Sequence, residues 1–385
     1  MKRKYHIWEF YPNAIYDFQV RLSDVFKEKL IEHSHENKAE FIREINNSKY
    51  AGMEAHANYS RWFNWFKYKD VNIPLWAAMA MAELTEIPLD KLEKEIIFYK
   101  QKLTPNKVSV TNPILPVELT PEFVSLAGHF CFDGSLPKDG KGSFYSQKND
   151  SQTDLFIETI QFCFGKTHYA KRRDNKEVWS VRFPRFIGES CLHICEFETF
   201  HSSKARVPES LCGLDKKFKL AFLVSAIVDE GSVGTEYVQL LLKNKGLIED
   251  LHKICLELGY SCSDIKGKLC KDGVYYFYIK SVSELFRDIC TLSKEHPLLS
   301  FGFKTKDILF ILESRFFPSG KPTLVAVEKR KTEVLSNLIS PKSVRELALE
   351  LRINARSLRR ILLKLTNQGK LKRFKKGYPY LYVKN

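Results

Sequence analysis

Two stretches constrain what this chain can fold into. They are Leu126-Ala-Gly-His-Phe-Cys-Phe-Asp-Gly134 and Leu223-Val-Ser-Ala-Ile-Val-Asp-Glu-Gly231. Each is an apolar run of helical length with small residues inside it, and each closes on a carboxylate followed directly by glycine. A helix C-terminus carries partial negative charge, so an acid there is disfavoured unless a cation sits beside it. The same oddity occurring twice predicts two helices of one kind meeting at one place. Small residues (Ser125 and Gly128; Ser225 and Ala226) allow close helix packing. Such packing brings Asp133 and Glu230 together, where two carboxylates repel unless cations neutralise them. Hard divalent ions such as Mg²⁺ favour that environment. Phe132 is large for this position and is expected to splay the helix ends.

What surrounds the two stretches repeats as well. After Asp133-Gly134 the pattern predicts strands, a helix from Thr153 to Phe164 closed by Gly165, two more strands (Thr167–Arg173, Glu177–Phe186) and a helix around Cys191 to Phe197. After Glu230-Gly231 the same order returns: a strand over 236–243, a helix over 247–258 closed by Gly259, strands over Ser261–Leu269 and Val274–Lys280, and a helix over Val282–Cys290. The expectation is an internal duplication of an αββαββα unit, with repeat 1 at 121–215 and repeat 2 at 216–318.

Residues 1–103 read as an N-terminal domain of four or five short helices. One of them, Tyr59–Lys69, sets an apolar face (Trp62, Phe63, Phe66) against Arg61, Asn64, Lys67 and Lys69. This arrangement resembles a helix-turn-helix module; a plain helical bundle fits the pattern equally. Residues 104–120 hold three prolines and no helical period, and read as a linker. In 325–385, Ser343 and Asn354 are placed to cap helices, and 370–384 reads as a two-stranded wing. Three helices and a hairpin resemble a winged helix-turn-helix. From Leu351 to Asn385 there are eleven Lys or Arg and no Asp or Glu. Such one-sign clustering is the footprint of phosphate binding, and it points to Arg356, Arg359, Arg360 and Lys364 as DNA contacts.

The 385-residue chain has a formal net charge of +15, which suggests a polyanionic partner, nucleic acid before membrane. No run reaches the roughly 18 apolar residues of a membrane span, and the first residues lack a signal core. The expected location is intracellular, cytoplasmic and nucleoid-associated. Nine cysteines are widely spread and suggest no disulfide framework. Cys191, His193 and Cys195 lack a further close pair to complete a zinc set.

The first stretch matches the LAGLIDADG signature of homing endonucleases at its first three residues and its closing Asp-Gly; the second matches more loosely. The resemblance covers about 120–310. It implies an α+β fold, a pseudo-symmetric duplicated LAGLIDADG domain whose two four-stranded sheets form a saddle. It further implies a monomeric, Mg²⁺-dependent endonuclease acting on double-stranded DNA, with Asp133 and Glu230 as metal ligands and catalytic residues. The family uses a lysine from each repeat, for which Lys204 and Lys294 stand at matching places. The saddle would carry Lys148, Lys171, Arg172, Arg173, Arg182, Arg185, Lys243, Lys266, Lys268 and Lys280. Relatives that have lost cleavage act as transcription regulators, and others serve as RNA maturases, so both alternatives stay open. An intein is not expected, because neither end carries the required splice residues. His129 reads as a satisfied polar residue rather than a ligand.

Overall fold

The computed structural model describes residues 3–33, 37–52, 56–68, 70–105, 108–137, 142–268, 273–314, 324–374 and 380–385. Lys69, Leu269, residues 315–318 at the end of repeat 2 and residues 375–379 of the expected wing lie outside them.

The two expected helices are present as Pro121–Phe132 and Lys216–Glu230. Thr120 caps the first by accepting from the Phe123 N–H, and Pro121 occupies its first turn, where a missing N–H costs nothing. Between Leu220 and Val228 every residue of the second helix is buried. The two meet where Gly128 faces Ser225. A Cβ on Gly128 would lie 2.0 Å from Ser225 Oγ and 3.1 Å from the Phe222 ring. Phe132 does not intrude at this contact: it is buried and rests on Phe222, ring centroids 5.5 Å apart. Gly128→Ala should therefore force the helices apart and cost about 3 kcal/mol, the upper range for overpacking. Urea midpoints measure it, and the double variant Gly128→Ala/Ser225→Gly should recover at least half, since the two sites are coupled through one gap.

Both closing glycines answer one steric demand. The chain folds back over the last helical turn, so a Cβ on Gly134 would sit 2.4 Å from Phe130 Cα, and one on Gly231 2.4 Å from the Ile227 carbonyl oxygen. Each helix then feeds a four-stranded antiparallel sheet. In sheet order the first comprises Ala170–Arg173, Trp179–Phe183, Ser143–Gln147 and Gly134–Ser135. The second comprises Lys266–Lys268, Val274–Ile279, Val238–Leu242 and Gly231–Val233. The two orders are the same, so the duplication extends to topology. Helices Asp150–Phe164 and Arg185–Ile194 complete the first repeat; Lys245–Glu257 and Val282–Glu295 complete the second.

The N-terminal region is not wholly helical. Phe18–Leu22 and Ile96–Gln101 pair as antiparallel strands. They are rich in β-branched and aromatic residues, and Phe18–Leu22 is buried at alternate positions. Nor is 104–120 a linker: Val110–Pro113 is an inner strand, pairing with Ile96–Gln101 on one side and with Gly165–Thr167 of the first repeat on the other. One five-stranded sheet thus joins the two regions, and one apolar core runs from Ile7 to Ile311. Helix Leu75–Leu84, buried at every position from Leu75 to Ala82, sits within it. On helix Tyr59–Lys67 the buried aromatics are Trp62 and Trp65, while Phe63 is exposed beneath Lys67, 5.0 Å from ring to ammonium.

A second core holds the C-terminal region: helices Leu324–Asn337, Val344–Leu351 and Ala355–Asn367 against a sheet of Lys342–Ser343, Leu381–Lys384 and Leu371–Phe374. Ser343 and Glu346 form a reciprocal capping box, and Asn354 accepts from the Arg356 and Ser357 N–H groups. Helix Thr305–Ser314 joins the cores, giving Ile308 and Ile311 to the first and Phe310 to the second. Among the described residues no helix is long and apolar enough to cross a membrane.

Candidate active site at the helix seam

Asp133 ends the first helix and is half-buried; Glu230 ends the second in the same state. Burial pushes the Asp133 carboxyl up to about 8, with Asp229 and Glu230 adding repulsion, while Lys304 and a 2.9 Å hydrogen bond from Gln147 Nε2 act in the other direction. Burial likewise raises Glu230 to about 7, followed by repulsion from Asp229, against attraction from Lys304. The two expected acids therefore act within one electrostatic cluster.

Two members of that cluster were not singled out from the sequence. Asp229 has a fully buried side chain that reaches across the seam. Its Oδ2 lies 2.8 Å from His129 Nδ1, and its Oδ1 accepts from the Tyr145 hydroxyl at 2.8 Å. His129 is thus partnered in the core, not directed outward as a ligand. Lys304 stands in a short 3₁₀ turn, Gly302–Lys304, and is 8% exposed. Its ammonium donates to the carbonyls of Ile227 and Gly231 at the C-terminal end of the second helix. It supplies the cation that such an end requires. Burial lowers its own pKa to about 8, opposed by the three carboxylates. Its sequence signal is a lysine directly after the largely apolar segment Leu298–Phe303. Lys204 lies exposed in the loop before Ala205, and Lys294 is exposed on helix Val282–Glu295; the lysine whose charge acts on Asp133 and Glu230 is Lys304.

Strand register sorts the expected saddle cations. Residues directly opposite in an antiparallel pair share a face, and successive residues alternate. Lys171 pairs with buried Val181, and Arg173 with Trp179, so both lie on the helix-facing side. Lys171 is ion-paired with Asp150 and Asp154 at the start of helix Asp150–Phe164, and Arg173 reaches Glu177 at 3.4 Å. Arg185 begins a helix because Pro184 ends the strand. It binds Glu189 at 2.6 Å and the Pro137 carbonyl at 2.8 Å. These three do not line the open face. Arg172 and Arg182 do, opposite Ser180 and Ala170, and both are exposed. Lys148 is exposed just beyond Gln147, Lys266 is exposed opposite Tyr276, and Lys268 is set opposite Val274. Lys243 and Lys280 are exposed at strand ends.

On the C-terminal helix Arg359, Arg360 and Lys364 are exposed. Arg356 is ion-paired with Glu236, in the hairpin of the second sheet, and Arg345 with Asp307. The C-terminal region is thereby tied to repeat 2 by two charge pairs. Among the described residues no group of three or more His, Cys, Asp or Glu is arranged to hold a metal ion, Cys191 and Cys195 included, and the described cysteines are free.

No family model matches the chain and no curated protein matches it. Solved structures similar to it include mesophilic variants of the homing endonuclease I-DmoI (18% identity, 49% of this chain, 97% of that chain, TM-score 0.36). I-DmoI in complex with DNA and Ca is another (16%, 49%, 97%, 0.35), as is full-length DUF199/WhiA from Thermatoga maritima (12%, 65%, 92%, 0.33). At such identities and TM-scores these likenesses assign no activity to this chain.

Proposed function

We propose that this chain binds double-stranded DNA across the open faces of its two sheets and hydrolyses phosphodiesters at the helix seam, as a single-chain LAGLIDADG-type endonuclease. One observation carries this reading. The duplicated unit delivers Asp133 and Glu230, each at the end of a tightly packed helix, into one electrostatic cluster below two sheets of the same strand order.

The donor set suits a hard divalent cation. Carboxylates held up to about 8 and about 7 by burial and by repulsion from Asp229 gain by a positive charge brought between them. Asp133 and Glu230 would hold Mg²⁺, whose chemistry is activation of water and stabilisation of a leaving oxygen. Gln147 orients Asp133 through its 2.9 Å hydrogen bond. Asp229 ties His129 and Tyr145 of repeat 1 to repeat 2, fixing the two helix ends relative to each other. Lys304 holds the end of the second helix and balances charge. Arg172, Arg182 and Lys266 face the phosphates and base edges. Residues 325–385 act as a winged helix-turn-helix and lengthen the DNA contact, as does the exposed basic face of Tyr59–Lys67. Both halves of the site lie in one chain, so a monomer suffices.

The test is nicking and linearisation of a supercoiled plasmid library by the full chain with Mg²⁺. No cutting, with duplex binding retained, would reject hydrolysis. It would favour a second reading, a DNA-binding regulator without cleavage. That alternative has its own observation: Lys304 already supplies the cluster with an internal cation. For the C-terminal helix, Arg359→Ala with Arg360→Ala should lower the slope of log K against log salt by about 2, at roughly 0.9 per phosphate contact. Arg356→Ala should change it less, since Arg356 is engaged by Glu236. Equal slopes in filter binding from 50 to 200 mM salt would remove that helix from the DNA interface.

A further inference from the structure

The open faces of the two sheets are chemically unlike. On the first sheet, register puts Arg172 opposite Ser180, Arg182 opposite Ala170 and Phe144, and Ser146 opposite Ser180. The Arg182 guanidinium rests on the Phe144 ring, 4.8 Å from its centroid, and Ser146 donates to Ser180 at 3.3 Å. This face presents fixed guanidinium and hydroxyl groups. On the second sheet the same logic puts Tyr278 opposite Gln239 and Tyr276 opposite Leu241, with Phe277 and Ile279 buried on the other side. Tyr237 joins them: its ring lies 4.3 Å from Tyr278, which lies 5.5 Å from Tyr276. Tyr237, Tyr276, Tyr278 and Leu241 are all half-buried. This face presents a strip of tyrosine rings and Leu241, with Gln239 among them, rimmed by the exposed Lys243, Lys266 and Lys280.

We propose that the two sheets read different halves of an asymmetric duplex, the first selecting guanines through Arg172 and Arg182, the second selecting thymines through apolar contact of Tyr237, Tyr276, Tyr278 and Leu241 with their C5-methyl groups. This rests on the reading of the open faces as a duplex-binding groove. In the major groove an arginine pairs with the O6 and N7 acceptors of guanine, whereas the thymine methyl is the apolar feature that a hydrocarbon surface can select. Duplex DNA is favoured over unpaired bases because stacking needs a free ring face. Here Tyr237, Tyr276 and Tyr278 pack on one another at 4.3 and 5.5 Å, so part of their ring surface is already covered by a neighbouring ring. The lysines on the rim suit the two phosphate strands flanking a groove.

The experiment selects bound duplexes from a random-sequence library with the full chain, without added metal so that binding alone is read. The expected motif has guanines in one half and thymines in the other. Replacing those thymines by deoxyuridine, which removes only the methyl, should weaken binding about tenfold, as expected of losing specific base contacts. Tyr276→Ser with Tyr278→Ser should erase the thymine preference and leave the guanine half intact, and Arg182→Ala should do the reverse. Retained duplex binding that is indifferent to deoxyuridine overturns this proposal alone. Tighter binding of the single strands overturns it in favour of stacking. Failure to select any duplex rejects the groove itself. The deoxyuridine arm alters only the DNA, so it decides the matter even if the tyrosine variant folds poorly.

Discussion

Asp133→Asn and Glu230→Gln should each reduce Mg²⁺-dependent plasmid cleavage by at least about a thousandfold, the scale expected when a charge-stabilising group is removed from a reaction centre. Duplex affinity should stay within a few-fold, because neither residue belongs to the cation set on the open faces. The same variants carry a stability signature that a merely damaged fold would not. Both acids have folded-state pKa values raised above their ordinary ones, to about 8 and about 7. A raised carboxyl binds more protons folded than unfolded, so its contribution is full at low pH and is lost as pH climbs from about 4 towards 8. Removing the ionisable group should therefore raise the metal-free melting temperature at pH 8 and change it little at pH 5. Loss of cleavage together with a lower melting temperature at pH 8 would assign the effect to misfolding instead.

Lys304→Met should be the most destabilising of the single-site changes at the seam. The ammonium binds two carbonyls at the helix end and faces Asp133, Asp229 and Glu230. Leaving buried charges unpaired typically costs about 3–5 kcal/mol. The cost should grow with pH: at pH 5 Asp133 and Glu230 hold protons and need no partner, while at pH 8 they must either stay protonated or repel. Urea melts at both values measure this. A loss equal at the two pH values would show Lys304 to be a helix-end hydrogen-bond donor only, with no role in balancing the carboxylates.

Legibility in the sequence followed the range of the physics. Asp133, Glu230, Gly128 and Gly134 could be found because their roles depend on neighbours three or four residues away, or on a pattern that occurs twice. The same holds for Ser343 and Asn354, whose capping is a local hydrogen bond. The strand Ile96–Gln101 is hidden in the sequence because Ile96 lies four residues after Leu92 and so continues a helical spacing. The Val110–Pro113 strand looked like a linker because its partners, Ile96–Gln101 and Gly165–Thr167, flank it from opposite directions in the chain. Lys171 and Arg173 look like Arg172 and Arg182 in composition, and only register separates them, while Arg185 is set apart because Pro184 ends the strand before it.

The sequence by itself determined the duplication, the two acids with their closing glycines and the concentration of positive charge at the C-terminal end, since each is written in local spacing or in simple counts. The tertiary structure alone decided which charges share a site. Asp229 meets His129 and Tyr145 only when the helices pack with Gly128 against Ser225, and the charge of Lys304 acts on Glu230 only when the turn Gly302–Lys304, late in repeat 2, folds against the end of the second helix. Electrostatic energy depends on distance and burial through space, and neither is encoded in the order of residues along the chain.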